Sequence, residues 1–280
     1  MNPTLLVDGD ILCYSASSVT DGKRYRIHYT LKGSTSSIEE RYAKDADRVI
    51  KELSDRGCTD ILRETVYDPE QLENALHILK ESIKSLKDSI SIPIGTIRYF
   101  LSMHGSFREQ ESSSYKTNRT DMRRPEHLEE CKQYLLKHYD AECRPGEYEA
   151  DDLMAINQDS STIICSIDKD LLQVPGRHFN FLKGEHKEIT EEEGLRNLYS
   201  QILTGDSTDG IKGIHGVGPV TAKKILSKAR TEQEMYEAVL KKYEESLETK
   251  ETLRSTARLL YLMRSFDDKG WEAPLDRPRA

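Results

Sequence analysis

The stretch Leu5-Leu6-Val7-Asp8-Gly9-Asp10, near the start of the chain, places three apolar residues before two acids that flank a glycine. A short apolar run of this kind is typical of a buried strand, and the polar residues after it predict a turn. Two further apolar runs, at 96–101 and 162–167, predict strands that are buried on both faces. Asp168 and Asp170 follow the second of these runs directly. The sequence therefore predicts a sheet with acids at the ends of its strands.

Helical periodicity separates the predicted strands. Asp68-Pro69-Glu70-Gln71 predicts the start of a helix, and leucine and isoleucine then recur at helical spacing as far as Leu86. Strands that alternate with helices predict an α/β fold with a mainly parallel sheet, which we expect to occupy residues 1–190. No strand is predicted after Glu191, so residues 191–280 are expected to be helical. The other predicted elements are strands at 25–31 and 61–67 and helices at 38–54, 126–139, 151–158 and 191–203.

Acidic residues gather in four short clusters, two of which directly follow apolar strands. Because ligands bind beyond the carboxyl ends of parallel strands, we expect these acids to converge at one edge of the sheet. Carboxylates packed together repel one another unless cations lie between them. Two divalent ions, Mg²⁺ or Mn²⁺, would supply that charge and suit phosphodiester hydrolysis, although a single Asp-x-Asp also occurs in ordinary turns. The clusters are Asp8 with Asp10; Glu149, Asp151 and Asp152; Asp168 with Asp170; and Asp206 with Asp209.

Glycines in the segment 211–226 predict a turn with open backbone amides, before a helix that begins near Pro219. Such a turn can present its amides to a phosphate, with neighbouring lysines to support the contact. A glycine-rich turn before a helix is also common as simple punctuation, but here the acidic segment 205–210 precedes it. The residues of this segment that we predict to bind DNA are Gly213, Gly216, Gly218, Lys223 and Lys224.

The segment from Phe107 to Pro125 is basic and nearly devoid of apolar residues between 108 and 121. A solvated loop would have the same composition. The functional alternative places Lys116 and Arg119 on a scissile phosphate, where fixed cations stabilise developing negative charge. The arginines of this segment that we predict to bind DNA are Arg108, Arg123 and Arg124.

The overall composition limits the class of protein. Of the 280 residues, 36% are hydrophobic and 32% charged, and no apolar run approaches the roughly 20 residues of a membrane span. The first apolar run has neither the basic flank nor the cleavage site of a signal peptide, so we expect a cytoplasmic protein. Five scattered cysteines and eight histidines without zinc spacing leave oxygen atoms as the metal ligands. The net charge of -8 opposes nucleic-acid binding, but local basic segments are what grip phosphate.

Taken together, these motifs resemble those of the 5′-nuclease family: phage 5′–3′ exonucleases, flap endonucleases and the 5′-nuclease domain of bacterial DNA polymerase I. The motifs occur in the family's order. The GD-x-x-DG pattern at 205–210 and the closing ARLLYLMR at 257–264 look closest to those of the phage exonucleases. The matching motifs are VDGD at 7–10, FR and YKTNR within 107–119, EADD at 149–152, SIDKDLLQV at 166–174 and GDSTDGIKGIHGVG at 205–218.

The resemblance implies a central sheet with helices on both faces, a helical arch near residues 107–140, and a C-terminal helix–three-turn–helix. The last of these would bind duplex DNA and hold a K⁺ ion at its turn. The implied activity is metal-dependent 5′–3′ exodeoxyribonuclease action on DNA 5′ ends, with flap endonuclease and RNase H-like activity as related functions. Phage DNA replication or recombination in the host cytoplasm is the implied setting. By its matching motifs, the resemblance assigns two metal ions to the acidic clusters. It also implies that Lys116 and Arg119 steer the scissile phosphate.

The chain departs from the family pattern in two places. Many members carry an aspartate at the end of the strand before the FR motif, where this chain has Ser102. One metal ligand is therefore missing unless Asp10 or His104 substitutes for it, and Asp10 is an additional metal candidate. Residues 24–67 predict an extra strand–helix–strand element, to which the sequence assigns no role.

Three other functions fit part of the sequence. A structure-specific flap endonuclease with little exonuclease activity would use the same site and differ in how the 5′ end is threaded. A DNA-binding protein with an impaired nuclease site is suggested by Ser102 and opposed by the other acids. A PIN-type ribonuclease shares the acidic sheet edge but lacks the helix–three-turn–helix predicted at 211–226.

Overall fold

The computed structural model describes residues 2–31, 38–43, 45–119 and 122–276, with the backbone alone described for 38–43. The strands in these ranges are β1 (Thr4–Asp8), β2 (Arg24–Thr30), β3 (Ile38–Ala43), β4 (Thr59–Val66), β5 (Ile97–Phe100), β6 (Thr162–Cys165), β7 (Gly176–Asn180), β8 (Glu185–Ile189), β9 (Gly205–Asp206) and β10 (Ile211–Lys212). The α-helices are α1 (Gly9–Thr20), α2 (Ala46–Asp55), α3 (Leu72–Ser89), α4 (Phe107–Glu111), α5 (Leu128–Tyr139), α6 (Ala150–Ile156), α7 (Glu191–Thr204), α8 (Pro219–Leu226), α9 (Glu232–Glu245) and α10 (Lys250–Leu260).

The chain divides into two compact units. The first comprises Met1–Leu12, Ile83–Arg123 and Lys132–Ala280, and the second comprises Cys13–Ser82 and Arg124–Cys131. Both of the predicted regions, 1–190 and 191–280, contribute to the first unit, so that division of the chain stays a prediction. No α-helix in the described ranges is long and apolar enough to cross a membrane.

The first unit contains a five-stranded sheet in the order β5-β1-β6-β7-β8. Strands β5, β1, β6 and β7 are parallel to one another, and β8 pairs with β7 in the antiparallel direction. Helix α6 packs on β1 and β5, where Leu6, Phe100, Leu153 and Ile164 form a buried apolar cluster. The predicted α/β class with a mainly parallel sheet is confirmed.

The region after residue 190 is mainly helical, as predicted. Helices α7 to α10 share a core that includes Tyr199, Val239, Tyr243 and Leu253. The two-residue strands β9 and β10 pair with each other between α7 and α8. The predicted arch region contains α4, a 3-10 turn at Thr117–Arg119 and α5, while residues 120 and 121 lie outside the described residues.

The second unit contains an antiparallel sheet in the order β3-β2-β4, with α2 packed on it through Ile27, Val49 and Leu53. The predicted strands at 25–31 and 61–67 are present as β2 and β4. The prediction of one helix over 38–54 is wrong in its first half, because β3 occupies Ile38–Ala43 and pairs along β2. Residues 32–37 and 44 lie outside the described residues.

Two predicted boundaries are also corrected. The helix expected to start at Asp68 begins at Leu72 instead. The expected turn after β1 is the first turn of α1, which begins at Gly9 without a loop. A Cβ atom at Gly9 would lie 2.8 Å from the Phe100 carbonyl oxygen, so glycine allows this close approach to the neighbouring strand.

Candidate functional site

Parallel strand pairing brings several acids to the carboxyl edge of the sheet. Asp8 is the last residue of β1 and is in register with Phe100 of β5, and Val7 is in register with Cys165 of β6. Residues that follow β5 and β6 therefore leave the sheet at the level of Asp8. Ser166 lies next to this position, because its hydroxyl donates a hydrogen bond to Asp8 at 2.9 Å.

Asp8 is held firmly and is almost buried, with 3% of its surface exposed. The other carboxylate oxygen accepts a hydrogen bond from the Ile11 amide at 3.1 Å. Burial, followed by the charge of Asp10, raises the pKa of Asp8 to about 7. A cation placed beside this carboxylate would favour its ionised form.

Asp151, Asp168 and Asp170 extend the group around Asp8. Burial raises the pKa of Asp151 well above its ordinary value, and the charges of Asp8 and Asp168 raise it further. Burial also raises the pKa of Asp170 to about 7, with added repulsion from Asp168 and Asp206. The Asp170 amide donates a hydrogen bond to Asp168 at 2.8 Å. The charge of Asp168 therefore lies close enough to disfavour the ionised forms of both Asp151 and Asp170.

Asp206 joins this group from β9 and is 5% exposed. The Thr208 amide donates a hydrogen bond to Asp206 at 2.7 Å, and the Lys169 ammonium lies 3.7 Å from its other oxygen. Burial works against ionisation, but the Thr208 bond and the Lys169 charge outweigh it and lower the pKa of Asp206. Asp206 therefore ionises more readily than Asp8 and Asp170.

Glu149 and Asp209 form a second group that carries its own cations. The Tyr115 hydroxyl lies 2.9 Å from Glu149 and 3.2 Å from Asp209. The Lys116 ammonium lies 2.7 Å from Glu149 and 3.8 Å from Asp209, and the Arg119 guanidinium also contacts Asp209. Burial works against ionisation of Glu149, but Lys116 lowers its pKa, whereas for Asp209 burial prevails and raises the pKa. The structure thus brings together the predicted acids and the predicted phosphate-steering cations.

Arg108 and Asp152 form a buried ion pair, in which Arg108 is 2% and Asp152 is 0% exposed. The guanidinium donates two hydrogen bonds to Asp152, at 2.6 and 2.9 Å, and others to the Leu259 and Tyr261 carbonyls. Asp152 also accepts a hydrogen bond from the Met263 amide. This corrects the prediction that Arg108 binds DNA, because its guanidinium is enclosed by protein. The oxygens of Asp152 are likewise engaged within the protein, which favours a structural role over metal binding.

Asp10, the additional metal candidate, forms an ion pair with a lysine, Lys132. Its carboxylate accepts a hydrogen bond from the Ser102 amide at 2.8 Å and lies 2.8 Å from the Lys132 ammonium. The Ser102 hydroxyl accepts a hydrogen bond from the Ala150 amide, at the start of α6. The alternative candidate, His104, is exposed.

The predicted DNA-binding glycines differ in their surroundings. A Cβ atom at Gly213 would lie 2.1 Å from the Thr204 carbonyl carbon, so this glycine is required for close backbone packing. Gly216 has a φ of +76°, and a Cβ there or at Gly218 would meet open space. The open turn is therefore formed by the second and third glycines of the motif. Among the predicted basic contacts, the exposed side chains are Lys223, Lys224, Arg123 and Arg124.

The donor set is chemically suited to hard divalent cations. All candidate ligands are carboxylates, and those around Asp8 disfavour one another's charge. As the side chains stand, no three metal-ligating residues in the described ranges converge on one point. The candidate ligands around Asp8 include no histidine or cysteine, which favours Mg²⁺ or Mn²⁺ over zinc.

Sequence reasoning assigned no role to three residues that organise the site. Tyr115 belongs to the YKTNR motif, in which a tyrosine directly before a lysine is the signal that points to it. Ser166 directly follows an apolar strand, so its position at the sheet edge was also foreseeable. Lys132 carries no signal, because its partners Asp10 and Ser102 are distant in sequence.

The amino-acid sequence is similar to those of a bacterial DNA polymerase I and a bacterial flap endonuclease. No family model matches the chain. DNA polymerase I of Borreliella burgdorferi is 30% identical over 165 residues, which are 51% of this chain and 18% of that protein. Flap endonuclease Xni of Colwellia psychrerythraea is 30% identical over 158 residues, which are 48% of this chain and 52% of that protein. The chain thus spans about half the length of that flap endonuclease and a much smaller share of the polymerase.

The fold is similar to solved structures from bacteriophage T5. The T5 D15 protein, co-crystallised with metal ions, aligns with a TM-score of 0.53 at 15% identity, over 92% of this chain and 89% of that chain. The T5 D15 flap endonuclease in a complex with DNA and metal ions aligns with a TM-score of 0.52 at 17% identity, over 68% of this chain and 80% of that chain. At these identities the likeness concerns the fold, and it agrees with the α/β architecture described above.

Proposed function

We propose, on the premise that this chain is a member of the 5′-nuclease family, that it is a metal-dependent nuclease that hydrolyses DNA from 5′ ends. The observation that carries the proposal is the pairing of two groups at one sheet edge. One group, around Asp8, consists of buried and half-buried acids, in which Asp8 and Asp151 disfavour each other's charge. The other contains Lys116 and Arg119, cations suited to a phosphate. Negative and positive groups side by side fit a phosphodiester held on metal ions.

Two divalent ions, Mg²⁺ or Mn²⁺, would be held by the acids of the four clusters other than Asp10 and Asp152, whose carboxylates are engaged by Lys132 and Arg108. When bound, such ions activate water and stabilise the leaving oxygen in phosphodiester hydrolysis. The residues we propose as ligands are Asp8, Asp151, Asp168, Asp170 and Asp206, with Glu149 and Asp209 at the side of Lys116.

Lys116 and Arg119 hold the side of the site where a phosphate would arrive. Lys116 has a φ of +55°, a backbone conformation that is uncommon for a residue with a side chain. Its amide donates a hydrogen bond to the Asp209 carbonyl at 2.9 Å, which helps to hold that conformation. The Lys116 and Arg119 side chains contact Glu149 and Asp209. On DNA binding they would exchange part of these contacts for contacts with the scissile phosphate. We therefore assign them to positioning and charge stabilisation rather than to proton transfer.

The segment after β10 supplies the proposed grip on duplex DNA. Helix α8 begins at Pro219 directly after the open turn at Gly216 and Gly218, so amides and the helix N-terminus are available to a phosphate. Lys223 and Lys224 are exposed one turn further along. A K⁺ ion at this turn is part of the proposal, as is action in the cytoplasm.

Flap endonuclease activity is the second candidate, favoured by the name of the Colwellia relative. Both activities would use the same acids. A duplex with a single-stranded 5′ flap tests the proposal and separates the two, because product length reports where the strand is cut. We expect products that form with Mg²⁺ and do not form in an excess of EDTA. Short products indicate exonuclease action, and a product of the length of the flap indicates endonuclease action. No cleavage of either kind with Mg²⁺ or Mn²⁺ would contradict the proposed function.

The Lys116→Ala variant is expected to lower turnover on the order of 10²-fold, as loss of one positioned charge-stabilising donor does. The reason is that the lost ammonium lies 2.7 Å from Glu149, inside the candidate site, and not on the outer DNA-binding surface. Single-turnover rates and the Kd for duplex, measured on the same protein, check the prediction. A change in Kd alone would mean that Lys116 only anchors DNA.

The matched control is the double variant Lys223→Ala with Lys224→Ala. Both lysines are exposed, so their loss should weaken duplex binding with little effect on the rate from the bound complex. The slope of log K against log salt should flatten by about 0.9 for each lost phosphate contact. An unchanged slope would remove these lysines from the proposed DNA surface.

A further inference from the structure

The Lys132 ammonium makes two short contacts at the edge of the acid group. It lies 2.8 Å from a carboxylate oxygen of Asp10 and donates a hydrogen bond of 2.8 Å to the Ser102 carbonyl. The second carboxylate oxygen of Asp10 accepts a hydrogen bond from the Ser102 amide, also at 2.8 Å. Lys132 and Asp10 therefore close a ring of contacts with the backbone of one residue, which we call the Lys132 bridge.

The bridge is partly shielded from water, which strengthens the ion pair relative to one on an open surface. The side chain of Lys132 is 12% exposed and that of Asp10 is 26% exposed. Attraction between opposite charges at this distance is several times stronger near a protein interior than in bulk water. One oxygen of Asp10 accepts a hydrogen bond from the Ser102 amide, and the other forms an ion pair with the Lys132 ammonium.

The bridge also reaches the helix that carries a proposed metal ligand. The Ser102 hydroxyl accepts a hydrogen bond of 2.9 Å from the Ala150 amide, the first residue of α6. Asp151 is the next residue of that helix. Lys132 consequently ties together α1, the end of β5 and the start of α6, three elements that meet at the proposed metal site.

We propose that Lys132 acts as a built-in cation that satisfies the Asp10 carboxylate and keeps it out of the metal-ligand set. Lys132 is a positioning residue in this proposal, which rests on the metal site of the proposed function. It neutralises one of the acids beside Asp8 and fixes the start of α6 through Ser102. Without the ammonium, Asp10 becomes an extra carboxylate available to a divalent ion.

Manganese binding without DNA tests the proposal, with free Mn²⁺ counted by its electron paramagnetic resonance signal. Lys132→Met should bind Mn²⁺ roughly tenfold more tightly, or bind an additional ion, because the substitution removes the Lys132 charge and leaves the Asp10 carboxylate available to a divalent ion. Lys132→Arg keeps the charge and should match the wild type. The double variant Asp10→Asn with Lys132→Met has no released carboxylate and should return to within about twofold of the wild type, if only Asp10 responds.

Two results would overturn the proposal. One is unchanged Mn²⁺ binding in Lys132→Met, which would make the bridge a structural contact only. The other is a loss of roughly tenfold or more in the double variant, which would make Asp10 a metal ligand in the wild type. Should Lys132→Met fail to fold by circular dichroism, Lys132→Gln replaces it, since its amide can still donate to the Ser102 carbonyl. The same gain is expected for it, and the same absence of gain overturns the proposal.

Asp168→Asn separates failure of the inference from failure of the proposed function. This variant removes a proposed ligand outside the bridge, so its Mn²⁺ binding should weaken. Equal binding by the wild type and Asp168→Asn would count against the proposed metal site itself. A loss in Asp168→Asn together with no gain in Lys132→Met would overturn the inference alone.

Discussion

Asp168→Asn and Asp170→Asn variants are each expected to cleave DNA at least about 10²-fold more slowly than the wild type, while binding duplex with a similar Kd. The substitution keeps the side-chain shape and removes a charge that the proposed metal ions need. Asp168 lies where its charge reaches Asp151 and Asp170, so one neutral residue changes the whole acid group. Single-turnover cleavage in Mg²⁺ and duplex binding in EDTA measure the two quantities separately.

Asp267→Asn provides the matched control for this prediction. Asp267 is exposed and lies outside the four acidic clusters, so the same loss of charge there should leave cleavage within about twofold of the wild type. Near-normal turnover by both Asp168→Asn and Asp170→Asn would remove the acid group from the chemistry. Loss of cleavage accompanied by an equal loss of DNA binding would instead indicate that the fold had been damaged.

The second large effect concerns stability. Arg108→Met is expected to lower the free energy of unfolding by about 3–5 kcal/mol, because it leaves the fully buried charge of Asp152 without its partner. The two backbone carbonyls that accept from Arg108 would also lose their donor. Urea unfolding followed by circular dichroism gives the change in free energy.

Arg124→Met is the control, since Arg124 is exposed and its loss should change the unfolding free energy by less than about 0.5 kcal/mol. The folded fraction of Arg108→Met should bind duplex with near-normal affinity. A variant of Arg108 that was fully stable but bound DNA poorly would restore the sequence-based prediction that this arginine is a DNA contact.

The parts of the fold predictable from sequence were those with strong local patterns. The apolar runs of β1, β5 and β6 indicated buried strands, and parallel pairing then placed the acids after them at one edge. Strands β7 and β8 were not predicted, because GRHFN and EHKEI carry few apolar residues. Helix α1 was not predicted, because Asp8 was interpreted as an acid before a turn, whereas it caps the helix by accepting a hydrogen bond from the Ile11 amide.

Within the site, residue type was predictable but the choice of partner was not. The basic segment indicated Lys116 and Arg119 as cations for the scissile phosphate, which stays a prediction, and the structure places them beside Glu149 and Asp209. Arg108 belongs to the same segment, yet it lies in the core because Asp152 and two carbonyls receive its donors. Asp10 follows the motif of Asp8, yet it faces Lys132. Such differences arise from contacts between residues far apart in the chain, which local sequence does not encode.

The measurement that tests the central claim most directly uses one DNA duplex labelled at either the 5′ or the 3′ end of the same strand. With Mg²⁺, the 5′ label should appear in short products from the earliest times, while the 3′-labelled strand shortens gradually. With EDTA, both strands should remain intact. Release of the 3′ label first, or cleavage that persists in EDTA, would contradict a metal-dependent nuclease that acts from 5′ ends.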